Sequence, residues 1–518
     1  MTPTDPGTAP RPTGNRPLPL AELADLIGPP EGPGADVAVS GVTLASGEVG
    51  PGFIYAALPG ARTHGVRFAA DAAARGAVAL LTDPTGRADA LATGLPVCVV
   101  DAPRQVLGAV ADRVYGEPSR KLAVLGITGT NGKTTTSYLV EAGLAAAGRA
   151  TGLIGTVQAR TRAADGTVTA LPSIRTTPEA PALHALLAGM ADAGVDAVVM
   201  EVSSHALVQG RVGGVRFAAA GFTNLGRDHL DFHRDMEDYF QAKALLFDGR
   251  AAAEVVDVDD PYGRRLVERV GRPRPVTVAG SEGAAADWTV SDVRTAPGGG
   301  SAFTLHGPGG RSWPARVGLP GRFNVANAVL AVALLDAVGV AVEDAVAGLA
   351  GTVVPGRMEP VDAGQPFVAV VDYAHTPDAV RTALAALREA TPGRLITVLG
   401  CGGDRDPGKR PEMGKVAAEG SDVLVVTDDN PRSEDPAVIR AAMLTGAREV
   451  PADRRAEVRE IGDRRAALAA AVALARAGDT LLVAGKGHET GQEVAGTVHP
   501  FDDRAQLREV LAASGARA

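Results

Sequence analysis

The chain holds 518 residues with a formal net charge of −9, and 45% of them are hydrophobic, 21% charged and 4% aromatic. Such proportions are those of a globular protein, and a prior of about 150 residues per domain calls for about three domains. The acidic balance and the scarcity of aromatic platforms count against nucleic acid as a partner. Only two cysteines occur, Cys98 and Cys401, with no secretory pattern, so a reducing cytoplasm is expected, and no apolar run approaches the ~20 residues of a membrane helix.

Met1–Pro19, rich in Pro, Thr and Gly, reads as a disordered tail. Leu20–Ile27 reads as a short helix, and Val37–Leu58 as apolar stretches broken by Gly and Pro. Phe68–Arg75 (helix), Ala77–Thr82 (strand), Pro96–Val100 (strand) and Arg104–Val114 (helix) complete a small α/β unit over 20–119, closed by the turn-like Tyr115–Ser119.

Next comes Lys121–Ile127 (KLAVLGI), a β-branched apolar run read as a buried strand, which passes into GITGTNGKTT, Gly126–Thr135. Such a glycine-rich loop lets the backbone N–H groups of Gly129, Thr130, Asn131 and Gly132 turn toward one anion. Lys133 then reaches the outer phosphates of ATP or GTP, and the Thr134 hydroxyl, followed by Thr135, can ligate Mg²⁺. Ser137–Gly148 has helix-forming composition and a Gly stop, so the positive end of a helix faces the phosphates. The bland alternative is a strand-to-helix turn without a nucleotide.

Strands and helical runs alternate from here to about Val354, with Asp196–Val202, Ala218–Thr223 and Val255–Val258 as strands, which predicts a mainly parallel sheet over 120–355. The Gly-rich Ala296–Pro308 reads as turns joining antiparallel strands late in this unit. Beyond Pro355–Arg357, the apolar runs Phe367–Val371, Leu395–Leu399, Val423–Thr427 and Thr480–Ala484 separate Ala-rich helices, predicting a Rossmann-like C-terminal domain over 356–518. The expected fold class is therefore α/β in three domains, with a central phosphate-loop sheet.

Within the central unit, DAVVMEVSSH carries Glu201 to the carboxyl end of a strand, where ligands of open α/β sheets collect. It is a candidate Mg²⁺ ligand, and seen alone an exposed strand-end carboxylate. TNLGRDHLDFH follows the next strand and offers His229 as a second ligand. Lys243 lies in YFQAKALLF, a predicted helix. Alone it is an ordinary surface lysine; buried, its neutral amine can add CO₂ to give a carbamate able to hold a metal.

The ordered series GTNGKTT, MEVSSH, TNLGRDHLD, YFQAKALLF, LPGRFNVANA, PGRME, VDYAHTPDAV, GCGGDRDPGKRP, TDDNPRSEDP and AGKGHE resembles the Mur ligase family along nearly the whole chain. The resemblance implies three domains, for a UDP sugar, for ATP and for the incoming amino acid. It implies a cytoplasmic, monomeric, ATP- and Mg²⁺-dependent ligase of peptidoglycan synthesis that adds diaminopimelate to UDP-MurNAc-L-Ala-D-Glu. It further implies that Lys133, Lys243 and His229 are catalytic, and that Lys243 is carbamylated and serves the metal region with Thr134, Glu201 and His229. Asn324, Arg357 and Asp372 match ATP contacts, and Ser46, Thr176, Thr177, Ser203, Gln209 and Arg211 match the path of the nucleotide-peptide. Ala45-Ser46-Gly47 and Ala61-Arg62-Thr63 depart from the usual Asp-Ser-Arg and His-Gln-Ala of the uridine region. Arg405, Asp429, Asn430, Pro431, Arg432, Gly485 and Glu489 match positions for diaminopimelate. Arg432 is the discriminating one, because a guanidinium clamps the far carboxylate that lysine lacks. The alternatives are a lysine-adding relative, a folylpolyglutamate synthase, a phosphate-loop ATPase acting as a switch, and a binding module without turnover.

Overall fold

The computed structural model describes residues 12, 15–60, 63–172, 175–271, 273–296 and 300–515. Most of the tail expected over 1–19, and residues 61 and 62 of the departing first-unit motif, lie outside these residues. One correction falls here. Leu18–Pro19 form a short strand, Leu18 opposite Val39 and Pro19 opposite Ala38, so ordered chain begins before the Leu20 expected. The buried side chains of Leu20, Leu23 and Val39 anchor it.

Four parallel strands build the first sheet: Gly41–Thr43, Phe53–Ala57, Ala77–Thr82 and Val97–Val99. Their apolar runs are buried on both faces, as a helix-covered parallel sheet requires. The helix Pro103–Val114 packs this unit against the helix Ala180–Asp192 of the next one.

The central sheet has eight strands in the order Val168–Leu171, Ala159–Arg162, Thr151–Ile154, Ala197–Glu201, Ala123–Thr128, Phe217–Phe222, Ala251–Asp257 and Val276–Val278. All six strands from Thr151–Ile154 onward pair in parallel, and the first two form an antiparallel hairpin on the edge. The phosphate-loop strand, Ala123–Thr128, thus lies between the two strands that carry Glu201 and Thr223 at their carboxyl ends. Such a crevice between diverging crossovers is where open α/β sheets collect ligands. The expected antiparallel strands are present as Thr289–Thr295, Ser301–His306 and Ser312–Val317, though residues 297–299 of the Gly-rich turn lie outside the described residues.

The C-terminal sheet runs Glu359–Pro360, Val368–Asp372, Thr480–Ala484, Leu395–Leu399, Val423–Val426 and Glu457–Glu460, with only the first strand antiparallel. Among the described residues no helix is long and apolar enough to cross a membrane.

A buried ion pair fixes the carboxyl ends of this last sheet. Arg464 and Asp503, both fully buried, meet through two hydrogen bonds of 2.8 and 2.7 Å. The same guanidinium donates to Ala484 O at 2.9 Å and Asp428 O at 3.3 Å, the carbonyls from which two loops depart. Asp503→Ala leaves a buried cation without its anion, which costs about 3–5 kcal/mol. Calorimetry is expected to show a lower thermal midpoint, with Arg464→Met/Asp503→Leu recovering most of the loss; an unchanged midpoint in Asp503→Ala would refute this role.

Candidate functional site

A cleft of about 1500 Å³ opens at the carboxyl ends of the central strands, lined by the phosphate loop, by Glu201, His229 and Lys243, and by Arg357, Asp372 and Arg405 from the C-terminal sheet. The loop departs from the sequence expectation in one respect. Its helix begins at Lys133, four residues before the expected Ser137, because the GKTT segment itself forms the first turn. The helix N-terminus therefore stands directly at the loop, where its unpaired N–H groups attract an anion. Gly129, at φ 148°, is forced: a Cβ there would collide with the Thr223 hydroxyl. The TNLG segment braces the loop, with Thr130 N donating to Asn224 O at 2.9 Å, Asn131 N to Asn224 Oδ1 at 3.0 Å, and Thr223 Oγ1 to Asn131 O at 2.6 Å.

Glu201 is not the exposed carboxylate of the bland reading; it is 1% exposed. Its Oε1 accepts from Thr134 Oγ1 at 3.0 Å and Thr156 N at 2.8 Å, and its Oε2 accepts from Thr156 Oγ1 at 3.0 Å. Every one of these donors is neutral. The carboxylate also acts through space on Lys133, whose charged form it favours. Among the described residues no three His, Cys, Asp or Glu side chains form a metal cluster.

Lys243 is likewise buried, at 1% exposure. Its Nζ donates to Gly129 O at 2.7 Å and lies 4.6 Å from the Tyr239 ring. Lys133 Nζ donates to that same carbonyl and to Thr130 O, both at 2.8 Å. Burial, and then its proximity to Lys133, holds the Lys243 amine well below the usual lysine range. His229, at φ 54°, faces Asp228 at 3.5 Å and His205 at 5.0 Å between ring centroids. Burial is the main cause that pushes its pKa down to about 4, so the ring is neutral and available as a ligand at neutral pH.

Asn324, on the helix Arg322–Ala337, donates to Pro320 O at 2.7 Å and accepts from Asn327 at 3.1 Å. Arg357 lies 4.3 Å over the Tyr373 ring and reaches Thr134 Oγ1 at 3.5 Å, while its buried Nε has no hydrogen-bond partner. Asp372 accepts from Met358 N and Ala374 N, both at 2.7 Å.

On the other side, Thr177 Oγ1 donates to Glu201 O at 2.9 Å, and Thr176 Oγ1 lies 3.0 Å from Thr156 Oγ1. Ser203 caps the helix Ser204–Val208, its Oγ accepting from Ala206 N at 3.2 Å. Arg211 donates to Thr177 O at 3.1 Å and Gln209 Oε1 at 2.7 Å, and pairs with Glu179 at 2.9 Å. Gln209 thus belongs to the site through Arg211 and does not line the cleft. Ser46 stands apart in the turn Ser46–Glu48, hydrogen-bonded to Asp71.

Of the seven residues matched to diaminopimelate, only Arg405 lines the cleft. The others are linked to one another beside it. Asn430 donates to Glu489 Oε2 at 2.8 Å, Gly485 packs against the Asp429 carboxylate, and Arg432 Nη1 donates to Gly403 O at 2.6 Å. Lys486, wholly buried, joins Asn430 Oδ1 at 3.0 Å, Glu489 Oε2 at 3.2 Å and Gly491 O at 2.6 Å. Sequence reasoning passed over Lys486 although GKGHE contains it. It also missed Thr156, which follows the unforeseen strand Thr151–Ile154, and Glu179, three residues beyond Thr176.

Comparison with known proteins agrees with this geometry. The Mur ligase middle domain matches residues 127–335, the Mur ligase glutamate ligase domain 356–487, and the Mur ligase family catalytic domain 38–115. The chain is 55% identical over 506 residues to a UDP-N-acetylmuramoyl-L-alanyl-D-glutamate–2,6-diaminopimelate ligase of Streptomyces avermitilis, covering 97% of this chain and 98% of the relative. It is 53% identical over 504 residues to the protein of the same name from Streptomyces coelicolor, covering 97% and 98%. A solved structure of a ligase of that name aligns with a TM-score of 0.69 at 30% identity, over 96% of this chain and 100% of the other. With domain matches and similarity of this extent, the chain belongs to the Mur ligase family.

Proposed function

We propose that this chain is an ATP- and Mg²⁺-dependent ligase that joins diaminopimelate to the D-Glu side-chain carboxylate of UDP-MurNAc-L-Ala-D-Glu in peptidoglycan precursor synthesis. The observation that carries the reading is the 55% identity, over 97% of the chain, to a ligase named for that reaction. The 20–119 unit takes the UDP sugar, the 120–355 unit ATP, and the 356–518 unit the amino acid. Both nucleotide substrates belong to the cytoplasm, and a monomer suffices, since one chain carries every group invoked.

The D-Glu carboxylate attacks the γ-phosphorus of ATP, ADP leaves, and an acyl phosphate forms. The diaminopimelate amine adds to the acyl carbon, loses a proton and expels phosphate, leaving an amide. Lys133 exchanges its loop carbonyls for phosphate oxygens and stabilises the charge that moves during transfer. Gly129, Thr130, Asn131, Gly132, Thr134 and Thr135 cradle the phosphates, Asn324 takes the adenine, and Arg357 and Asp372 approach ATP from the C-terminal unit. Thr134 and Glu201, with His229 and modified Lys243 alongside, would hold Mg²⁺, which would supply neutralisation of phosphate charge.

Lys243 is carbamylated in this reading. Its neutral amine adds CO₂ and releases a proton, turning an uncharged group crowded against Lys133 into an anion. Thr176, Thr177, Ser203, Gln209 and Arg211 hold the sugar-peptide, and Ser46 the uridine side. Arg405, Asp429, Asn430, Pro431, Gly485 and Glu489 hold diaminopimelate, whose far carboxylate Arg432 clamps.

Phosphate release from ATP and Mg²⁺ with UDP-MurNAc-L-Ala-D-Glu tests the function, offering meso-diaminopimelate, the LL isomer or L-lysine. Release and a tripeptide product are expected only with a diaminopimelate isomer; a preference for lysine overturns the role of Arg432. Arg432→Ala is expected to raise the KM for diaminopimelate at least about tenfold, the loss of a charge-assisted contact. Lys243→Ala is expected to lose activity and regain part of it with added short carboxylates, and wild-type activity in that variant excludes the carbamate.

A further inference from the structure

The hairpin formed by Gly491–Val494 and Thr497–Pro500 has no buried residue in either strand, and every residue of its outer strand is exposed. Apolar burial does not explain why it keeps its place. Its polar contacts instead converge on Asp429–Arg432. Gln492 Nε2 donates to Asp429 O at 2.8 Å, Glu493 N donates to Asn430 Oδ1 at 3.0 Å, Arg432 N donates to Glu493 O at 3.0 Å, and Ala495 N donates to Arg432 O at 2.7 Å. The Glu493 carboxylate also stands 3.4 Å from Arg432 Nε.

We propose that this hairpin is a positioning element for amino-acid selection, with Glu493 and Gln492 as the positioning residues that aim Arg432 at the far carboxylate of diaminopimelate. The inference rests on the proposed function and adds to it residues that carry no role there.

Two features of Arg432 make outside support necessary. Its backbone is left-handed, at φ 51°, a conformation that a non-glycine residue holds only when its surroundings impose it. Both its N–H and its carbonyl are taken by the hairpin, which imposes that conformation. A guanidinium also recognises a carboxylate through paired N–H groups in one plane, so selectivity depends on the orientation of that plane. Gly403 O on Nη1 and Glu493 on Nε hold the group at two of its three nitrogens. The hairpin's two-residue turn, Ala495-Gly496 with both φ positive, matches the twist of a tight hairpin and sets the strand register that brings Glu493 to Arg432.

Steady-state kinetics of the full chain with all three substrates test this. Glu493→Gln keeps the backbone bonds and removes the charge; Gln492→Ala removes the brace on Asp429. For each, the KM for diaminopimelate is expected to rise on the order of tenfold. The KM values for ATP and UDP-MurNAc-L-Ala-D-Glu are expected to stay unchanged, as are kcat at saturating diaminopimelate and the thermal midpoint. Glu493→Asp is expected to restore part of the selectivity for diaminopimelate over lysine. An unchanged KM for diaminopimelate, or a parallel rise in all three KM values, overturns the inference while leaving the proposed function standing. Wild-type turnover that ignores diaminopimelate overturns both.

Discussion

Lys133 and Lys243 come from different helices and donate to one oxygen, Gly129 O, at 2.8 and 2.7 Å. Burial, and then the proximity of the two amines, disfavours the charged form of Lys243. Beside the loop Glu201 is buried and accepts hydrogen bonds from neutral donors. The base of the phosphate loop thus gathers two buried amines, with the Glu201 carboxylate close enough to Lys133 to favour its charged form.

Topology brings these charges together. Parallel strands end at one side of a sheet, and the loops leaving Ala123–Thr128, Ala197–Glu201 and Phe217–Phe222 meet there without long excursions. The same rule operates in the C-terminal sheet, where Val368–Asp372, Leu395–Leu399, Val423–Val426 and Thr480–Ala484 deliver Asp372, Arg405, Asn430 and Glu489 to one side. Arg464 ties two of those loops to the sheet from below through Asp428 O and Ala484 O.

Where one physical signal dominated, the sequence was readable. Ala77–Thr82, Leu395–Leu399 and Thr480–Ala484 are uninterrupted apolar runs bounded by turn residues, and the structure has strands at those residues. Thr151–Ile154 is short and contains glycine, and Glu457–Glu460 (EVRE) has a single apolar residue, so neither carried such a signal. Sheet edges and neighbours chosen by tertiary pairing leave little local trace. In the site, loop residues declared themselves by composition, whereas the burial of Glu201 and Lys243 did not: a strand-end carboxylate and a helix lysine look the same in sequence whether exposed or enclosed. Lys486 and Glu493 were hidden for a related reason, since their significance lies in contacts with Asn430 and Arg432 some sixty residues away in sequence.

The cleft also explains why three units are joined in one chain. An acyl phosphate is hydrolysed by water unless the amine reaches it first, so the amino acid must arrive at a place already screened from solvent. Arg357 touches Thr134 of the phosphate loop at 3.5 Å while stacking on Tyr373, and Tyr373 lies against His488 of the GKGHE segment, with ring centroids 4.9 Å apart. A continuous chain of contacts therefore runs from the loop that binds ATP to the loop that holds Glu489. Arg357 and Tyr373 thus join the phosphate loop of the central sheet to the GKGHE segment of the C-terminal one, and the two sides of the cleft meet through packed side chains.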